Sequence, residues 1–255
     1  MSLVKISDDK GIRILTLNNP DRRNAIGPRM INELLYALEG AHADAGVRVI
    51  VLTGEGTAFC AGGDFSSMSG PSGDEPPHKG DYADLLLAMV RSEKPIVARV
   101  NGHAMGGGLG LVAASTFAIA ETNAKLGTPE IDVGLFPMMI MAVLARLVPR
   151  RALLDMMLMG RKLTAVEAQA LGIVNAVHPA ADLDTAVTRL VDALAARSPS
   201  TIALGLRAFA QQDDMDLAAA LPMLRDKLGE CLATEDAREG LSAFLEKRAP
   251  VWKGR

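Results

Sequence analysis

The order of patterns along the chain predicts an α/β body followed by a helical C-terminal region. Three observations carry this. Runs of β-branched residues ending in turn residues recur at IRILTLN (12–18), VRVIVLTG (47–54) and PIVARVNG (95–102). A helical pattern stands between the first two. Beyond Pro149 the patterns are almost all helical, so mixed strands and helices precede helices alone.

Each element has a local reason. The helix expected over 28–45 opens on Pro28, which suits a first helical turn, and Met30, Leu34, Leu35 and Leu38 form its apolar face. The strand at 95–102 runs directly into Gly106, Gly107 and Gly108, and LGLVAAS then starts a helix. The segment 69–80, rich in Gly, Pro and charge, reads as a mobile loop. Later helices are expected over 151–159, 164–171, 183–196, 201–211, 217–232 and 235–248. Thr164 followed by Glu167 has the spacing of a capping box.

Composition narrows the function classes. The chain has 255 residues, 49% of them hydrophobic and 22% charged, as in ordinary globular proteins and enough to bury a sizeable core. The net charge of -3, without a long run of one sign, does not suggest a nucleic-acid surface. Cys60 and Cys231 fit neither a disulfide framework nor a metal spacing, which points to a reducing compartment. The N-terminus does not read as a signal peptide. The apolar stretch 138–147 is interrupted by Arg146 and is too short for a membrane span. A soluble, cytoplasmic protein without metal or membrane partner is expected.

Two glycine turns are candidates for chemistry: FCAGGD (59–64) after the second strand, and the glycines 106–108 after the third. Glycines let backbone N–H groups face a ligand, and a turn that opens a helix adds the positive end of its dipole. Two such turns could hold one carbonyl oxygen; taken alone, they are also what any tight turn requires. No GxGxxG or GxSxG spacing is present. Glu130, in LGTPEIDVGLFP, precedes an apolar run that would raise its pKa and suit it to act as a base; a solvated or capping Glu is the alternative. His42, His78, His103 and His178 are scattered and read as structural or solvated. Met138, Met139, Met141, Met156, Met157 and Met159 read as core or pocket lining.

Taken in order, LTGEGTAFCAGGDFSSM, KPIVARVNGHAMGGGLGL and NAKLGTPEIDVGLFP resemble the enoyl-CoA hydratase/isomerase (crotonase) family. RRNAI, MGRKLTAVEAQALGIVNAVHP and FLEKRAPVWKGR extend the resemblance over nearly the whole chain. It implies a spiral of ββα units over residues 1–197 and a helical, trimerising region over 198–255, in a homotrimer or homohexamer. It implies an acyl-CoA substrate and no separate cofactor, coenzyme A being part of that substrate. The N–H groups of Gly63 and Gly107 would hold the thioester oxygen, and Glu130 would be the acid/base. CoA contacts are expected from Arg22, Asn24, Ala25, Ala61, Gly62 and Asp64, with Phe244 and Lys247 closing over CoA from a partner subunit. Gly110, Met138 and Met139 are expected in the acyl pocket.

The chain also departs from the family pattern. Hydratases of the family typically carry a second glutamate where this chain has Gly110. Water addition needs both a base for water and an acid for the α carbon, whereas a 1,3-proton shift can use one carboxylate. Enoyl-CoA hydration is placed first because family hydratases with one glutamate exist, and Δ3,Δ2-isomerisation stands beside it. A non-catalytic acyl-CoA-binding scaffold is the reading from another class. Met138 to Ala142 is bulkier than the family's usual small residues, and no carboxylate stands at Met138 or Met139 for a dehalogenase-type nucleophile. Thr116 replaces a frequent Asp, and Asp132 beside Glu130 has no assigned role.

Overall fold

The computed structural model describes residues 2–64 and 77–255; most of the segment expected to be a mobile loop (69–76) lies outside them. In chain order the elements are β1 (Val4–Asp9), β2 (Ile12–Leu17), α1 (Pro28–Ala43), β3 (Val49–Gly54), β4 (Ala58–Cys60), α2 (Tyr82–Val90), β5 (Ile96–Val100), β6 (His103–Met105), α3 (Gly107–Ala114), β7 (Phe117–Glu121) and β8 (Lys125–Gly127). They continue with α4 (Met138–Leu144), α5 (Arg150–Leu158), β9 (Lys162–Thr164), α6 (Ala165–Ala170), β10 (Ala176–His178), α7 (Ala180–Ala195), α8 (Pro199–Gln212), α9 (Leu217–Leu232) and α10 (Glu235–Glu246).

The strands form two sheets, ordered β1-β2-β3-β5-β7-β10 and β4-β6-β8-β9. The chain visits them alternately. β3, β5 and β7 lie in the large sheet; each is followed by β4, β6 or β8 in the small one, and a helix returns the chain after the first two pairs. This is the ββα spiral. Apart from the β1–β2 hairpin, the large sheet is parallel. Parallel strands need both faces covered. Accordingly Ile50, Leu52, Ile96 and Ala98 enter the main core with α1, while Val49, Val51 and Val97 pack on the other face with Leu183, Val187 and Val191 of α7.

The helical half follows its caps. Ser198, Asp216 and Thr234 each accept a hydrogen bond from the N–H three residues on, at the starts of α8, α9 and α10. The Thr164–Glu167 capping box forms as expected. Asp236, almost fully buried, accepts from Ser198, Ser200 and the N–H groups of Lys253 and Gly254, tying α10 to α8 and the chain end.

Several expectations need correction. The chain after Pro149 is not purely helical: β9 and β10 are three-residue strands, and β10 completes the large sheet beside β7. Such strands are too short for a period to register. β1 and α2 were not expected; only Val4 of β1 is buried, as befits an edge strand. Met156 and Met157 are core residues, but Met159 is 68% exposed and lines no cavity described below. Thr116 has a structural task, because its hydroxyl accepts the Ile96 N–H.

Candidate active site

The site follows from the small sheet. β4, β6 and β8 are neighbours and parallel, so their C-terminal ends lie side by side. Ligands of parallel sheets gather outside such ends. After β4 comes Gly62–Gly63, after β6 come Gly106 and Gly107, and after β8 comes a 3-10 turn, Pro129–Val133, holding Glu130. Gly63, Gly107 and Glu130 line one cavity of about 290 Å³ together with Ile26, Ile31, Tyr82, Phe136, Met138, Met139 and Ile140.

Backbone pairing orients the two glycines. Gly63 bridges Ile26 in parallel fashion: the Ile26 N–H donates to Gly62 O and Ile26 O accepts from the Asp64 N–H. In that pattern the N–H of Gly63 itself turns away from Ile26. Gly106, at φ 49° and ψ -123°, is the N-cap of α3, so Gly107 is the first helical residue and its N–H has no intrahelical acceptor. The Gly106 N–H donates to Gly127 O, and Gly106 O accepts from the Gly110 N–H.

The absent side chain at Gly106 also makes room for the carboxylate. A Cβ there would lie 2.8 Å from Glu130 Oε1. Glu130 Oε2 is buried and has no hydrogen-bond partner among the described residues. Burial pushes the Glu130 carboxyl above the usual carboxylate range, with its own backbone N–H acting in the opposite sense. An unpartnered carboxylate oxygen at a cavity wall is placed to take or give a proton. Asp132 is exposed, does not line the cavity, and has Oδ1 beside Gly160.

Gly110 departs from expectation. It is buried in α3 and does not line the cavity. A Cβ on it would fall well inside 3.0 Å of both the Tyr82 hydroxyl and Ile140 Cγ2, closer than real Cβ atoms come. The place in front of residue 110 is therefore filled by these two side chains. Neither was singled out from the sequence; the Asp81–Asp84 capping box before LLLAMV was the available signal for α2 and hence for Tyr82.

The two segments expected near CoA are brought together. The Ala61 N–H donates to Arg23 O, and Arg22 pairs with Asp64 at 3.2 Å. Arg22 and Ala61 are exposed and Ala25 is half-buried. Asn24 is fully buried: its amide donates to Glu55 O and Ala58 O, and its Oδ1 accepts the Asn19 N–H, so its side chain serves the fold. Gly62 is buried against Met105 O. Phe244, 81% exposed, and Lys247, the C-cap of α10, do not reach this cavity from their own chain. Among the described residues no group of three His, Cys, Asp or Glu is placed to hold a metal, and no helix is long and apolar enough to cross a membrane.

Comparison with known proteins fits this geometry. The profile of the family described as enoyl-CoA hydratase/isomerase matches residues 7–255. The 2,3-dehydroadipyl-CoA hydratase of Escherichia coli is 34% identical over 257 residues, covering 100% of both chains. Enoyl-CoA hydratase domain-containing protein 3, mitochondrial, of Rattus norvegicus is 33% identical over 98% of this chain and 84% of its own length. A crystal structure of an enoyl-CoA hydratase from Mycobacterium smegmatis superposes with a TM-score of 0.90 at 33% identity, covering 98% of each chain. The chain belongs to the enoyl-CoA hydratase/isomerase family of acyl-CoA enzymes and has the crotonase fold expected from its sequence.

Proposed function

We propose that the protein binds an enoyl-CoA thioester, holds the thioester oxygen with the Gly63 and Gly107 N–H groups, and moves protons through Glu130 as its single acid/base. The observation that carries this reading is the placement of Gly63, Gly107 and the unpartnered Glu130 oxygen around one largely apolar cavity. Loss of an acyl-carbon proton to Glu130 leaves a dienolate whose negative charge collects on the thioester oxygen, where fixed N–H donors act most strongly. The raised pKa of Glu130 suits a group that must both accept and return the proton.

Within this chemistry the geometry supports Δ3,Δ2-isomerisation best. One carboxylate can take a proton at one carbon and deliver it two carbons away. The space where a second carboxylate would stand in front of residue 110 is occupied by Tyr82 and Ile140. Hydration is the second reading, favoured by the relatives named as hydratases.

One optical assay separates them. Moving the double bond into conjugation with the thioester raises near-ultraviolet absorbance, whereas adding water across a conjugated 2-enoyl-CoA lowers it. Isomerisation predicts a rise with 3-enoyl-CoA and, from 2-enoyl-CoA, a partial fall to the same equilibrium mixture with no 3-hydroxyacyl-CoA formed. Glu130→Gln should abolish turnover while CoA binding stays near wild type. Retained activity in that variant refutes the assignment of the base, and binding without turnover of any substrate supports a scaffold. The CoA moiety is assigned to the Arg22–Ala25 and Ala61–Asp64 segments. Exposed Leu217, Leu221, Leu228, Leu241, Phe244 and Leu245 support a homotrimer or homohexamer, which light scattering would test.

A further inference from the structure

Tyr82 begins α2, and its position is set from both sides in sequence. The Asp81 carboxylate accepts the N–H groups of Ala83 and Asp84, while Asp84 accepts the N–H of Asp81. From there the side chain crosses to α3 and its hydroxyl donates to the Gly107 carbonyl at 2.5 Å. Its ring end lies 3.5 Å from where a Gly107 Cβ would be. It also lines the cavity shared by Gly63 and Glu130.

These contacts surround one peptide group. The turn is held upstream by the Gly106 N–H on Gly127 O and by Gly106 O accepting from Gly110. It is held downstream by Tyr82 on Gly107 O. Between these anchors lies the Gly107 N–H. Gly107 and Gly108 form the first turn of α3 and carry no side chains of their own, so the Tyr82 hydroxyl adds the side-chain anchor that this turn lacks.

We infer that Tyr82 is a positioning residue for the oxyanion-binding turn, its hydroxyl fixing the Gly107 carbonyl so that the Gly107 N–H points at the bound thioester oxygen. Tyr82 also suits the task chemically. Burial, reinforced by Cys60 and Glu130, pushes its phenol well above the ordinary tyrosine range, so it remains a protonated donor throughout the working pH range. It acts through Gly107 and exchanges no proton with the substrate. A donor held in advance costs no reorganisation when charge develops on the oxygen, and that saving disappears if the turn must be ordered during the reaction.

This inference rests on the reading of Gly107 given above, and the test separates the two. Tyr82→Phe keeps the ring and removes the donor; Tyr82→Met is a second variant without the hydroxyl. Turnover of 3-enoyl-CoA and 2-enoyl-CoA is measured beside the affinity for a 3-ketoacyl-CoA, whose enolate resembles the charged intermediate, and for CoA itself. Removing an oxyanion donor outright lowers kcat by about 10²–10³-fold, so loosening one is expected to lower it roughly tenfold. The expected pattern in both variants is a tenfold lower kcat with KM within twofold, tenfold weaker 3-ketoacyl-CoA binding, and unchanged CoA affinity. Wild-type kcat and wild-type 3-ketoacyl-CoA affinity in folded Tyr82→Phe would overturn the role of Tyr82 while leaving the oxyanion reading intact. Failure of wild-type protein to bind 3-ketoacyl-CoA more tightly than CoA would overturn the oxyanion reading itself.

Discussion

Substituting alanine for Gly110 sets two physical effects against each other. Gly110 lies in the interior of α3 without a positive φ, so helix propensity alone makes alanine about 1 kcal/mol more stable. The structure requires the opposite. The new Cβ would lie inside 3.0 Å of both the Tyr82 hydroxyl and Ile140 Cγ2. Overpacking a single methyl into a dense core costs about 1–3 kcal/mol, and here two neighbours must retreat at once, one of them tied to the Gly107 carbonyl. The upper part of that range outweighs the propensity gain and leaves a net loss of about 1–2 kcal/mol. For a chain of this size that corresponds to a Tm lower by roughly 2–8 °C. Thermal unfolding followed by circular dichroism measures it. Because Tyr82→Phe removes one of the two obstacles, the double variant should lose less than the sum of the singles, by about 0.5 kcal/mol or more. A Tm for Gly110→Ala equal to or above wild type would show that α3 and α2 are not packed as described, and the account of the filled space would fall with it.

Three further outcomes follow from the same structure. The carboxyl of Glu130 is raised in the folded state, so the folded protein binds more protons than the unfolded chain between the two pKa values, and stability falls as pH rises through the folded value. Glu130→Gln should therefore melt higher than wild type at neutral pH, the gap closing as pH falls toward 4.5; a gap independent of pH contradicts this. Asn24→Ala strips the partner from the buried Ala58 O, worth about 1–3 kcal/mol when left unpaired, and those of the half-buried Glu55 O and Asn19 N–H, worth less because water can reach them. Denaturant titration should show a loss of several kcal/mol, and a variant of wild-type stability with only a raised KM would instead make Asn24 a CoA ligand. Burial pushes the Cys60 thiol up to about 12, so a thiol reagent should label Cys231 in the native protein and Cys60 only on unfolding; rapid labelling of both is the contrary result.

The legible parts of this molecule are those whose cause is local. Gly63, Gly107 and Glu130 could be found because the family motifs that hold them, FCAGGD, MGGGLG and TPEIDVGLFP, are each contiguous in the sequence, and the structure seats them on one cavity. The caps at Thr164 and the apolar face of α1 were readable for the same reason. What escaped depends on contacts between distant segments. Tyr82 gains its place from a carbonyl 25 residues away, and no pattern around DYADLL announces that. Asn24 sits in a motif that suggests a ligand contact, yet its amide is drawn into the turn by Glu55 and Ala58. Strands such as β6 and β8 have three residues and are defined by their neighbours. Gly110 showed both limits. Its lack of a carboxylate was plain from the sequence, but the side chains that take up the room were not.

The alternation of the chain between two sheets has a consequence for how such an enzyme can change. The two proposed donors and the proposed base sit on three different coils of the spiral, each just beyond a strand of the same sheet. No two of them share a helix or a loop. Except at Gly106, whose bare backbone makes room for Glu130, a replacement on one coil can therefore revise one chemical part while the strands that carry the others stay in place. The architecture behaves as a holder with separately exchangeable inserts, and an altered reaction requires a new occupant in one slot rather than a new scaffold.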